Sequence, residues 1–221
     1  MKDSPHDSHT SIASGHAKRE GLFLIASEQA GYFTTAQAVM VGWGSQLLSY
    51  HARVGTVQRV HPGVYRFRDF PFTQREEVVA AWLAVGKDVA VVSHESALDI
   101  WGLTDLIPDA IHLTVPRNKR NLPKIPGVAI HVPSNRFSVQ GNEIRTVESS
   151  LRVTSPQRTL LDVAVTGVSP EHVIIGIRQA RAKGWIDVPR LHEEAERRSR
   201  RIAEMINEAL TNVSAPSMGM Q

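Results

Sequence analysis

Between Gly31 and Arg68 the chain reads GYFTTAQAVMVGWGSQLLSYHARVGTVQRVHPGVYRFR, and this stretch constrains the fold more than any other. Thr34-Thr35-Ala36-Gln37 has the spacing of a capping box, in which a Thr hydroxyl takes a free N–H of the first turn and the Gln reaches back to the cap. The helix it opens runs through Ala36, Val39 and Met40 and stops at Gly42. Gly42-Trp43-Gly44 is a tight turn, and a second helix follows from Ser45 to a stop at Gly55. Leu47, Leu48, Ala52 and Val54 are expected to form its buried side. Two β-type runs, Thr56 to Val60 and Val64 to Phe67, flank His61-Pro62-Gly63, and Pro before Gly suits the centre of a type II turn. Helix, glycine turn, helix, hairpin is the outline of a winged helix-turn-helix.

The polar residues on this outline point to a nucleic acid. Ser45, Gln46, Ser49, Tyr50 and Arg53 fall on the open side of the second helix, a mixture suited to base edges and phosphates in a major groove. Arg59, His61, Arg66 and Arg68 set donors along the hairpin, where a phosphate backbone would pass. The competing expectation is that the same module binds a protein and that its cations are a solvated face.

The remaining chain is larger than this module. At 221 residues it can hold two small domains with cores of their own, and 42% hydrophobic residues are enough for folding. A net charge of +3 permits nucleic-acid binding without demanding it. The absence of cysteine excludes disulfides, cysteine-ligated zinc and thiol catalysis, and is compatible with the cytoplasm. The polar N-terminus lacks the apolar core of a secretory signal, and no run approaches the roughly 20 apolar residues of a membrane span.

The expected order is a loose tail over 1–16, a winged helix-turn-helix over 17–70, a mixed α/β domain with a helical C-terminus over 71–211, and a loose end over 212–221; the fold class is α+β. Ala17 to Gln29 reads as the module's first helix, with Leu22, Ile25 and Ala26 inward. Phe70-Pro71-Phe72 punctuates, and Thr73 to Glu76 has the form of a second capping box. Val89 to Val92, Ala110 to Val115 and Val128 to Val132 read as strands, with a helix at Ser93 to Trp101. Glu143 to Val147 and Leu151 to Val153 suggest a hairpin. Ser155-Pro156 and Ser169-Pro170 open two helices, and one long helix is expected from Asp187 or Val188 to about Leu210.

The candidates for chemistry in the second part are His94, Glu95, Asp99, Asp105, Arg158 and Asp162. No second His stands at metalloprotease spacing, no acid–x–Lys strand motif lies near Asp99 or Asp162, and there is no glycine-rich phosphate loop. Ser93 reads as a helix cap. Arg158 and Asp162, four apart, read as an ion pair on one helix. The expectation is therefore no catalytic residue, no metal and no cofactor, with a metal-dependent nuclease using Asp99 and Asp162 kept as an alternative. A secondary basic surface is expected at Arg117, Lys119, Arg120 and Lys124.

The segments GYFTTAQAVMVG, GTVQRVHPGVYRF, SHESALDIWGLTD, AIHLTVPRNKR and VTSPQRTLLDVAV, in this order, resemble the AbiEi antitoxins of type IV toxin–antitoxin systems. The resemblance spans about Ala17 to Leu210. It implies an N-terminal winged helix that binds operator DNA, on inverted repeats upstream of its own operon, and represses it. It further implies a C-terminal domain that opposes a nucleotidyltransferase toxin without forming a stable complex with it.

Overall fold

The computed structural model describes residues 6–119, 122, 124–134, 136 and 138–211, with side chains from Gly15 onward. The chain forms two compact units: one runs up to Asp88 and takes in Val147–Leu151, and the other comprises Val89–Thr146 and Arg152 onward.

The first unit contains helix α1 (His6–Ser27), strand β1 (Tyr32–Thr34), α2 (Thr35–Met40), α3 (Ser45–Arg53), the hairpin β2 (Val57–His61) and β3 (Val64–Phe67), and α4 (Glu76–Val85). Helix α1 therefore begins inside the stretch expected to be a tail. The capping box forms as the sequence dictates: Gln37 N–H donates to Thr34 Oγ1 at 3.2 Å and Thr34 N–H donates to Gln37 Oε1 at 2.8 Å. Gln37 is also buried, and it exchanges hydrogen bonds with buried Gln29, Nε2 to Oε1 in both directions at 2.9 and 3.2 Å. The cap of α2 is thus tied to Gln29, just past the end of α1.

Strand β1 pairs antiparallel with β3 and gives the sheet order β1-β3-β2. Leu22, Ala26, Phe33, Ala38, Trp43, Leu48, Val57 and Phe67 form the core beneath it. Phe67 is its centre, with the rings of Phe33, Phe23 and Trp43 at 5.1, 5.5 and 6.3 Å. Gly31 precedes β1 with φ +84°, and a Cβ there would lie 2.5 Å from the Phe70 ring, so both conformation and space require glycine. Val39 and Met40 are exposed, and so are Leu47 and Val54, against the expectation that they form the buried side of the second helix. The short α2 and α3 bury only Gln37 and Ala38, and Leu48, respectively.

Helix α4 belongs to this unit although its sequence lies past the expected boundary. The anticipated capping box at Thr73 does not form: the residue before α4 is Arg75, left-handed at φ +69°, with no side-chain cap. Glu76, which would have closed the box, is instead held by Arg66 at 3.1 Å.

The second unit is built on a mixed five-stranded sheet of order β6-β5-β4-β8-β7, where β4 is Val91–Val92, β5 Ile111–Thr114, β6 Val128–His131, β7 Ile144–Thr146 and β8 Arg152–Thr154. The expected β7–β8 hairpin is present, antiparallel with Ile144 opposite Thr154. Strands β5 and β6 do pair, but in parallel, so the basic segment between them is a crossover and not a hairpin loop. Helices α5 (His94–Ile100), α6 (Pro156–Thr166), α7 (Pro170–Ala182), α8 (Val188–Arg198) and α9 (Arg200–Thr211) complete the unit. Its core runs through Leu98, Leu103, Leu160, Leu161, Ile177, Leu191 and Ile206.

Local chemistry sets these helix ends. Ser155 Oγ accepts from Arg158 N–H ahead of Pro156, Gly167 closes α6 in the left-handed region at φ +85°, and Asp187 caps α8. The long final helix is two helices. Ser199 is extended, at φ −169° and ψ 156°, and its hydroxyl accepts from Ile202 N–H to start α9.

Candidate nucleic-acid interface

Helix α3 starts at Gly44, an extended residue after the Gly42 turn (φ +84°), and its position is fixed by Leu48 and by the turn residue Trp43. Trp43 is 1% exposed and stacks on His51 with ring centroids 4.2 Å apart. Burial, followed by nearby Arg19, pushes the His51 pKa down, which favours the neutral ring against the indole. With those two contacts inward, Ser45, Gln46, Ser49, Tyr50 and Arg53 are all exposed. The Arg53 guanidinium lies over the Tyr50 ring at 5.9 Å, three residues back on the same face.

The wing has its turn at Pro62-Gly63, with Gly63 at φ +75°. Thr35 N–H donates to Gly63 O at 2.9 Å, so the tip of the hairpin is held to the start of α2. A register shift between Arg59 and His61 marks a bulge in β2. Arg59 and Arg68 are exposed and His61 half-buried, all on the same hairpin.

Arg66 leaves the set. It is 6% exposed, and its guanidinium donates to the carbonyls of Phe67, Phe70 and Pro71 and to Glu76 Oε2. It also lies 4.7 Å from the Phe72 ring centroid. The reason is β1. Pairing on both edges makes β3 the central strand, and Arg66 turns to the side where α4 supplies Glu76. Arg66 anchors α4 and cannot reach a phosphate.

Of the secondary basic surface, Arg117 and Lys119 lie on an exposed 3-10 turn and Lys124 is exposed; Arg120 lies outside the described residues.

The second unit gathers a polar cluster that the sequence did not disclose. His94 and His131 stack with centroids 3.6 Å apart, and His131 Nε2 lies 3.0 Å from His112 Nδ1. Ser93, expected to cap α5, makes no cap hydrogen bond: its hydroxyl meets His94 Nδ1 at 2.8 Å and accepts from Thr114 Oγ1 at 2.7 Å. His94 has φ +52°, a conformation uncommon for a side-chain-bearing residue. Burial, reinforced by neighbouring histidines, pushes the pKa of His94 down to about 2 and that of His131 to about 4. Both rings are neutral at pH 7.

These two rings line a pocket of about 440 Å³ with Arg158, Asp162, Arg198 and Ile202. The expected Arg158–Asp162 pair is present, with Arg158 Nε donating to both carboxylate oxygens at 2.8 and 2.9 Å. Arg158 also meets Glu143 at 3.2 Å. Burial raises the Asp162 pKa and Arg158 opposes the rise. Burial lowers that of Arg198, with Arg158 adding to the effect. Among the described residues Asp99 and Asp162 do not form a joint metal-binding group. The signal that could have found the cluster was weak: one His in each of three separate elements, brought together only by strand pairing.

Residues 22–68 match the family described as "Transcriptional regulator, AbiEi antitoxin". No curated protein matches the chain. The matched span runs from Leu22 in α1 to the end of the wing, so the helix-turn-helix and its hairpin are an AbiEi antitoxin transcriptional-regulator domain. Among the described residues no helix is long and apolar enough to cross a membrane.

Proposed function

We propose that the AbiEi-type domain at 22–68 binds operator DNA upstream of the chain's own operon and represses it. In this reading α3 enters a major groove, with Gln46, Ser49, Tyr50 and Arg53 on base edges or phosphates and Ser45 at its entry. The wing carries Arg59, His61 and Arg68 along the backbone. The observation that supports it is the exposure of the α3 side chains together with Arg59 and Arg68 of a hairpin whose tip is held to the start of α2 through Thr35 and Gly63. Major-groove readout by a short helix with a flanking hairpin uses this arrangement. The second unit, with its resemblance through SHESALDIWGLTD and VTSPQRTLLDVAV, acts as the antitoxin part and opposes a nucleotidyltransferase toxin without a stable complex. Arg117, Lys119 and Lys124 offer a second basic surface for that role.

The test is binding of the purified chain to a labelled fragment of its own upstream region, against scrambled DNA, at two salt concentrations. Specific binding that weakens steeply with salt is expected, because displaced counterions drive much of the affinity. Absence of binding at low salt by the folded protein would shift the reading to a protein-binding module. That second reading is favoured by the exposed apolar side chains of Val39, Met40, Leu47 and Val54 on α2 and α3.

A further inference from the structure

His112 stands on β5 of the second unit and is 9% exposed. Its Nδ1 is occupied by His131 at 3.0 Å. Its Nε2 is shielded from solvent and has no hydrogen-bond partner. That nitrogen faces Glu95 Oε2 and Asp109 Oδ1, each 3.9 Å away. One ligand atom from each of the three residues lies within 4.8 Å of the others. Two carboxylate oxygens thus converge on a buried ring nitrogen that has no hydrogen-bond partner.

We propose that Glu95, Asp109 and His112 bind a divalent transition-metal cation, with zinc as the best match. Imidazole nitrogen and carboxylate oxygen together suit zinc, and a neutral histidine with two carboxylates balances its charge. Ligand bonds of about 2.0–2.2 Å place tetrahedral donors roughly 3.4 Å apart, so the two 3.9 Å separations from His112 need to close by about half an ångström. Asp109 can supply that movement, since its side chain is 93% exposed. The second requirement of such a site is also present. A ligating histidine donates its other ring N–H to a fixed partner, which sets its tautomer, and His131 stands at that position. Among the described residues no fourth His, Asp or Glu joins the group, so the cation keeps a position for water or an anionic ligand. The site ties the first turn of α5 to β5 and, through His112 and His131, to the wall of the pocket.

The experiment uses the full chain, stripped with chelator and then titrated with zinc by calorimetry, with bound metal counted after desalting. His6, His9 and His16 near the N-terminus could hold zinc on their own, so the reference protein carries all three as Ala. One equivalent per chain is expected, with a rise in the unfolding temperature. Asp109→Asn, at an exposed position that should not affect folding, is expected to weaken binding at least tenfold, and Glu95→Gln to do the same. His112→Ala should abolish it. Cobalt in place of zinc should give the visible absorption of a low-coordinate nitrogen–oxygen site. The proposal is overturned if the reference protein binds no zinc, or if binding is unchanged in Asp109→Asn and Glu95→Gln.

Discussion

The two units dispose of their polar side chains in opposite ways. In the first, the cations proposed to meet DNA point outward: Arg53, Arg59 and Arg68 are exposed, and the side chain that is withdrawn, Arg66, is an internal strut. In the second, a polar cluster turns inward, with His94, His112, Arg158 and Asp162 all buried and Arg158 bonded to Asp162. A surface that must meet phosphates needs charge in water, where it costs little to keep. A cluster that fixes strands and helices needs partners, because each buried charge is costly alone. Replacing a cation should therefore remove binding in one unit and stability in the other.

Arg158→Ala gives the largest expected effect. It leaves Asp162 and Glu143 without their buried partner and should destabilise the chain by about 3–5 kcal/mol. Urea unfolding measures it, and a loss under 1 kcal/mol would mean that the network does not hold the second unit together. Next comes the contrast between Arg66 and Arg53. Arg66→Ala should cost about 2 kcal/mol or more of stability, since it strips Glu76 and three carbonyls of their donor. Arg53→Ala should leave stability within about 0.5 kcal/mol. It should weaken operator binding roughly tenfold, at the low end of a base or phosphate contact. Reversal of these two outcomes would place the interface on the wrong side of β3.

A smaller effect is expected from acid. His94 and His131 have folded-state pKa values of about 2 and about 4, below the usual 6.5. Between those values and 6.5 the unfolded chain binds more protons, so the stability is fully present above pH 6.5 and is lost as pH falls toward 4. The midpoint of thermal unfolding should drop by a few degrees, on the order of a 1–2 kcal/mol change, between pH 7.5 and pH 6. His131→Gln should flatten that dependence; an equal slope in the variant would exclude the cluster as its source. The smallest effect is on salt. Arg68→Ala should lower the slope of log affinity against log salt by about 1 if it meets a phosphate. An unchanged slope would take the end of β3 off the DNA path.

What could be read in the sequence was local. The Thr34–Gln37 box, the Gly42 and Gly63 positions, the Ser155-Pro156 cap and the Arg158–Asp162 pair each depend on neighbours within a few residues, and each is present. What could not be read depended on distant pairing. Arg66 looked like a wing cation because the three-residue β1 is too short to show alternation, and only β1 makes β3 central. The break at Ser199 was hidden because α8 and α9 share a continuous amphipathic pattern and serine is no obligatory stop. The histidine cluster needed the direction of the β5–β6 pairing, which alternation does not specify.

The parallel pairing of β4 with β8 also bears on the order in which the protein is assembled. Val92 waits for Val153, about sixty residues later in the chain. Until Arg152–Thr154 has left the ribosome, β4 has only β5 beside it and the middle of the second sheet is open. The strands of the first unit's sheet pair within Tyr32–Phe67 and are complete far earlier. Local pairing folds fast and distant pairing waits for the chain. A nascent chain can thus carry a finished first sheet while its second sheet is still being made.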